Sequence, residues 1–255
     1  MVVLYEARGP VAWATLNRPE VLNATNVAMM QGLLDAVERT ASNDQVRVLV
    51  VTGVGRAFSA GGDIKEMADA QGGNARGNQH FYQKLSLAMR KLEKPIIAAV
   101  NGYALGAGIE VALMCDLRIA AASAKFGVPD AHLGISPGGG MTYLLPRVLG
   151  MGRTMHIALT TDMVDAQEAE RIGLVTQIVE DDKLVDHVQE LAEQIASYPA
   201  QGLAFMKRAF YSASESSFSA ALALEEEYDV ASFSSPETQQ ALNAFLESRG
   251  KRKAK

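Results

Sequence analysis

Residues Val46 to Gly53 read VRVLVVTG, a nearly continuous β-branched run. A strand with one wet face alternates apolar and polar positions, whereas an unbroken apolar run belongs to a strand covered on both faces. PIIAAV, from Pro95 to Val100, repeats the signature. Such strands need helices packed over them, so the chain is expected to build a mixed α/β core. At 255 residues and 48% hydrophobic content it can bury roughly three quarters of its unfolded surface without a covalent staple.

Around those strands the punctuation is readable. VVLYEA and VAWATL flank Arg8-Gly9-Pro10, a turn, and predict a hairpin. Val27 to Thr40 carries Met29, Met30, Leu33, Leu34 and Val37 at helical spacing, behind capping candidates between Asn23 and Asn26. Ala68 to Asn78 is rich in Gly, Asn and Ala with little to bury, which predicts a surface loop suited to act as a lid. Ala107 to Cys115 should be helical, and Asp116 to Val128 should form two short strands around a polar turn. Beyond Gly138 the pattern is helical almost throughout, broken by one strand near 173–181. Tyr198-Pro199 divides the chain into an α/β core (1–198) and a helical region (199–255), whose apolar stripes (Leu222, Leu224, Val230; Leu242, Phe245, Leu246) need a partner.

Several function classes are excluded at this level. A net charge of −5 is the wrong sign for nucleic-acid binding, and the basic KRKAK end reads as a short solvated tail. The longest apolar runs fall far short of the roughly 20 residues of a membrane-spanning helix. The N-terminus has no basic segment followed by a long apolar one, so a cytoplasmic location is expected. The single cysteine, Cys115, lies in the apolar run VALMCDL and reads as a small buried hydrophobe. The four histidines lack ligand-like spacing, and neither a dinucleotide fingerprint nor a P-loop is present, so no metal or nucleotide cofactor is expected.

What remains is a concentration of glycines and acids. SAGGD (Ser59 to Asp63), LGAGIE (Leu105 to Glu110) and ISPGGG (Ile135 to Gly140) are glycine turns, and Glu110 and Asp130 stand beside the last two. Exposed backbone N–H groups can hold a developing oxyanion, and two carboxyls can move protons.

Taken in order, RAFSAGGDIKEM (Arg56 to Met67), AAVNGYALGAGIEVALMCDLRIA (Ala98 to Ala120) and KFGVPDAHLGISPGGGMTYLLPRVLG (Lys125 to Gly150) resemble the enoyl-CoA hydratase/isomerase, or crotonase, family. The likeness runs from TLNRPEVLNA (Thr15 to Ala24) through AERIGLVTQIV (Ala169 to Val179) to the last helix. It implies a spiral of ββα units with a C-terminal helical region that packs against other subunits, in homotrimers or homohexamers. It also implies an acyl-CoA thioester substrate, with coenzyme A as part of that substrate and no further cofactor. The thioester oxygen would rest on the N–H groups of Gly62 and Ala107, while Glu110 activates water and Asp130 gives the proton to C2. Coenzyme A would lie along Ala60, Gly62, Asp63, Ile64, Lys65 and Ala107, with Ala57 to Ala60 near the adenine and Lys65 on a phosphate. Arg249 or Lys251 would stand in for a lysine that many members carry three residues after the position of Phe245, which is Ser248 here.

Hydratases of this family usually carry glutamate where this chain has Asp130. The resemblance therefore implies two activities: hydration of a 2-enoyl-CoA, and, as the alternative, double-bond isomerisation through Asp130 alone. A third implication is a non-catalytic CoA- or RNA-binding homologue, which the acidic balance and the two carboxyls oppose.

Overall fold

The structure, a computed structural model, describes the backbone of residues 1–69 and 73–253 and the side chains of residues 1–69 and 79–247. The chain opens with the expected hairpin, β1 (Val3–Arg8) and β2 (Val11–Leu16), antiparallel through the Gly9 turn. Helix α1 (Val27–Ser42) follows, capped by Asn26, whose side chain accepts from the Met29 N–H at 2.9 Å. Then a unit repeats: a strand in a large sheet, a three-residue strand in a small sheet, and helical structure.

The first unit is β3 (Val48–Gly53), β4 (Ala57–Ser59), α2 (Ile64–Asp69) and α3 (Gly73–Lys91). The second is β5 (Ile96–Val100), β6 (Tyr103–Leu105) and α4 (Ala107–Leu113). The third is β7 (Leu117–Ala121), β8 (Lys125–Gly127), a 3-10 turn at Pro129–Leu133, α5 (Met141–Leu149) and α6 (Met151–Thr160). β9 (Val164–Asp165), α7 (Ala166–Arg171), β10 (Gln177–Val179) and α8 (Leu184–Ala196) complete the two sheets. The large sheet runs β1-β2-β3-β5-β7-β10 and the small one β4-β6-β8-β9. Apart from the hairpin and the β8–β9 pair, all neighbours are parallel. This is the expected spiral of ββα units.

The β-branched run behaves as its composition requires. In β3, Val48 and Val50 pack with Trp13, Ile97 and α8, while Leu49 and Val51 face the main core with Phe58, Ile109 and Phe126. Both faces of β3 are buried. Cys115 is fully enclosed in that core, and burial pushes its thiol up to about 12, so it is a packing residue.

One reading is corrected. Ala68 and Asp69 end α2 and Gly73–Asn78 open α3, so most of the expected loop is helical; 70–72 lie outside the described residues. The low apolar content of 68–78 was a poor guide because α3 continues to Lys91, and Leu85 and Met89 in its second half are fully buried.

α9 (Ala200–Ala213), α10 (Phe218–Phe233) and α11 (Pro236–Lys253) end the chain. α9 is stapled to the core by Asp116, which accepts from Lys207 Nζ at 2.8 Å, Tyr211 Oη at 2.5 Å and the Ile96 N–H at 2.7 Å. Beyond α9 the apolar side chains Phe218, Leu222, Val230, Phe233, Leu242 and Leu246 remain exposed. Among the described residues no helix is long and apolar enough to cross a membrane.

Candidate active site

Three neighbouring parallel strands of the small sheet end on one side of the molecule, and each releases a turn there. β4 is followed by Ala60, Gly61 and Gly62; β6 by Gly106 and Ala107; β8 by Val128, Pro129 and Asp130. Groups separated widely in sequence thus meet beyond the carboxyl ends of adjacent strands, the usual place for a site in α/β structures. A cavity of about 340 Å³ lies there, lined among others by Gly62, Ala107, Glu110 and Asp130.

The first two turns are in contact. A β-carbon on Gly61, whose φ is +103°, would lie 3.0 Å from the Leu105 carbonyl oxygen and 3.8 Å from the Ala107 nitrogen. Only glycine allows both that backbone conformation and that approach. Thr25 pairs with this turn as in a parallel strand: its N–H donates to the Gly61 carbonyl at 2.7 Å and its carbonyl accepts from Asp63 at 2.9 Å. That ladder takes the groups on either side of Gly62 and leaves the Gly62 N–H out of it. Ala107 is the first residue of α4, so its N–H has no partner inside the helix. α4 sits close to β4 because residue 108 is glycine: a β-carbon there would fall 2.3 Å from the Ser59 carbonyl oxygen.

Glu110 lies on a helix that is otherwise apolar and buried, and it is only 4% exposed. The Gly138 N–H donates to Glu110 Oε1 at 2.8 Å, and a β-carbon on Gly139 would fall 2.5 Å from Oε2, so the ISPGGG turn wraps the carboxyl. Burial raises Glu110 to about 7; the Gly138 N–H works against that rise and the charge of Asp130 adds to it. Asp130, 8% exposed on the 3-10 turn after β8, is also held up by burial. Among the described residues its Oδ2 has no hydrogen-bond partner, and it lies 3.5 Å from where a Gly106 β-carbon would be, next to Ala107. An unpartnered buried carboxyl oxygen favours the protonated form.

The remaining expected residues divide. Ala60 and Ile64 line the cavity, and Lys65 does not, standing exposed on α2. Asp63 lines the wall, but its carboxylate is engaged: Oδ2 accepts from Arg18 at 2.9 Å and Oδ1 from the N–H groups of Lys65 and Glu66, which caps α2. Burial pushes Asp63 up, yet Arg18 and those N–H groups outweigh it and the carboxyl ends below its ordinary value. Ala57, Phe58 and Ser59 are buried in β4, and of the stretch 57–60 Ala60 lines the cavity. The side chains of Arg249 and Lys251 lie outside the described residues.

Thr25, Gln79 and Tyr82 also line the cavity and carry no sequence signal, since they are ordinary residues brought there by tertiary packing. Thr25 donates through Oγ1 to the Gly61 carbonyl at 3.2 Å, and its hydroxyl lies 2.7 Å from Tyr82 Oη. Burial pushes the Tyr82 hydroxyl up to about 12, so it stays a neutral hydrogen-bonding group. Among the described residues no cluster of His, Cys, Asp and Glu could hold a metal ion.

Comparison with known proteins shows the family. The chain is 38% identical to the short-chain-enoyl-CoA hydratase of Clostridium acetobutylicum, over 97% of this chain and 95% of that one. It is 38% identical to the 1,2-epoxyphenylacetyl-CoA isomerase of Escherichia coli, over 97% and 96%. Its fold matches the crystal structure of enoyl-CoA hydratase from Bacillus anthracis with a TM-score of 0.94 at 32% identity, covering 97% of both chains. With the enoyl-CoA hydratase/isomerase model matching residues 6–254 as well, the chain belongs to that family.

Proposed function

We propose that the protein adds water across the C2=C3 double bond of a 2-enoyl-CoA thioester. The observation that carries this reading is the meeting, in one cavity, of two buried carboxyls with the Gly62 and Ala107 turns. The thioester oxygen accepts from the two N–H groups, each contributing on the order of 10²-fold or more in rate. Ionised Glu110 takes a proton from water while the water oxygen bonds to C3. The C2=C3 electron pair moves toward the thioester as an enolate, and C2 takes the proton of the Asp130 carboxyl. Glu110 is then protonated and Asp130 ionised, and proton exchange between them, directly or through water, restores the starting pair. Glu110, titrating at about 7, is partly ionised near neutral pH and so can take the proton of water, and burial also holds Asp130 above its ordinary value.

Aspartate is one methylene shorter than the usual glutamate, about 1.5 Å of reach. The closeness of Asp130 Oδ2 to Gly106 supports a backbone that brings the shorter side chain up to the site. The same aspartate supports a second reading, a double-bond isomerase that moves a proton with Asp130 alone. Glu110→Gln separates the two. In an assay on crotonyl-CoA, hydration should fall on the order of 10²-fold or more; hydration at the parental rate would sink the first reading, and retained isomerisation of a 3-enoyl-CoA would establish the second.

Lys65, exposed beside the cavity on α2, is our candidate for a phosphate of coenzyme A; Lys65→Ala should raise KM several-fold with kcat little changed. The exposed apolar side chains of α10 and α11 support assembly into a homotrimer or homohexamer. A solution mass of one subunit, by light scattering at micromolar concentration, would rule that out.

A further inference from the structure

Helix α3 presents Gln79, Tyr82 and Ser86 at i, i+3 and i+7, one face of a helix, while Leu85 and Met89 on another face are buried in the core. The polar face looks onto the two turns that form the site. Gln79 lies against Gly138, with its Oε1 2.8 Å from where a Gly138 β-carbon would be. Tyr82 holds Thr25, and through it the Gly61 turn. Ser86 Oγ lies 2.8 Å from the carbonyl oxygen of Gly139 and 2.8 Å from that of Tyr82.

A serine hydroxyl has one proton to give. The Tyr82 carbonyl, four residues back in the same helix, already accepts the α-helical bond from the Ser86 N–H. For the Gly139 carbonyl, Ser86 is the sole partner found among the described residues. The hydroxyl is therefore most useful on Gly139, in the middle of a turn with φ of +55° and +93° at Gly139 and Gly140 and no side chain to brace it. Two peptides back along that turn is the N–H, on Gly138, that donates to Glu110 Oε1 at 2.8 Å.

We propose that Ser86 is a positioning residue: by fixing the Gly139 carbonyl it holds the glycine turn on Glu110 and keeps the Gly138 N–H aimed at the carboxyl. Ser86 acts through the turn and has no role on the substrate. The inference rests on Glu110 being the base of the reading above. The titratable groups that face Glu110 are Asp130, from the turn after β8, and Tyr82 of α3; Asp63 and Glu66 share the cavity wall, and among the described residues no cation lines it. Among the described residues the Gly138 N–H is the group that favours ionised Glu110, and loosening it should make the carboxyl harder to ionise.

The test is the pH profile of kcat/KM for hydration of crotonyl-CoA by Ser86→Ala, Ser86→Thr and a control, Ser42→Ala. Ser42 makes the same four-back helix bond, to the Glu38 carbonyl at 2.9 Å, on the exposed end of α1. We expect Ser86→Ala to move the acidic midpoint up by about one unit and to lower kcat about 10-fold with KM within about 2-fold. Ser86→Thr, which keeps the hydroxyl and has a cavity of about 180 Å³ beside it for the methyl, should restore both. Ser42→Ala should match the parent. Circular dichroism and a melting curve confirm that each variant is folded, and Ser86→Cys, a near-isosteric weak donor, replaces Ser86→Ala should the alanine variant fail to fold.

A parental pH profile in folded Ser86→Ala, or Ser86→Thr as impaired as the alanine variant, overturns the proposal. If Glu110→Gln keeps the parental rate and acidic limb, the functional reading has failed instead.

Discussion

At the residue scale the site turns on where Glu110 sits. A carboxyl on an apolar buried helix would ordinarily be a cost to the fold, and its rise from 4.5 to about 7 corresponds to on the order of 3 kcal/mol. Because the folded chain holds this proton to higher pH than the unfolded chain does, it binds more protons between about pH 4.5 and 7. Stability contributed by this group therefore falls as pH rises through that window. Glu110→Gln keeps an oxygen for the Gly138 N–H but has no charge to desolvate. Relative to the parent it should be stabilised at pH 8, with the gain vanishing below pH 4.5, as urea unfolding at the two values would read. An equal gain at both would mean that the carboxyl is not desolvated as described.

At the element scale the active centre depends on strands of three residues. Gly108 lets α4 lie against β4, and a β-carbon there meets backbone, which cannot turn aside as a side chain can. Gly108→Val should push α4 from β4, separate the Ala107 N–H from Gly62 and cost roughly 3 kcal/mol. Its crystal structure should show the two turns further apart; an unmoved α4 would contradict the packing argument. These elements also mark the limit of what a sequence discloses. β3 and β5 are visible because continuous β-branched runs demand burial on both faces. β4 and β6 are too short to alternate, yet it is their pairing that brings Gly62 and Ala107 together. Glu110 and Asp130 stand out as acids beside glycines, whereas Thr25, Tyr82 and Ser86 are common residues whose importance arises only when α3 packs over the turns. Lys65 shows the converse, since adjacency in sequence to Gly62 does not bring it into the cavity.

At the scale of the whole molecule a largely buried ion pair helps to anchor the helical region. Lys207 has a side chain only 7% exposed and donates to Asp116 and to the Lys94 carbonyl. Lys207→Ala leaves the Asp116 carboxylate short of its cation and should cost roughly 3 kcal/mol, lowering Tm by about 10 °C; a Tm within a degree of the parent would show that α9 is held by packing instead. The site itself is insulated from such losses. Each of Gly62, Ala107 and Asp130 stands only two or three residues beyond a hydrogen-bonded strand end, so at most about 10 Å of unbraced backbone separates it from its anchor. Positional error cannot accumulate along so short a tether. The chemistry is thus carried on a rigid jig whose tolerance is set locally, free to keep its alignment while distant helices drift, lengthen or exchange their sequence.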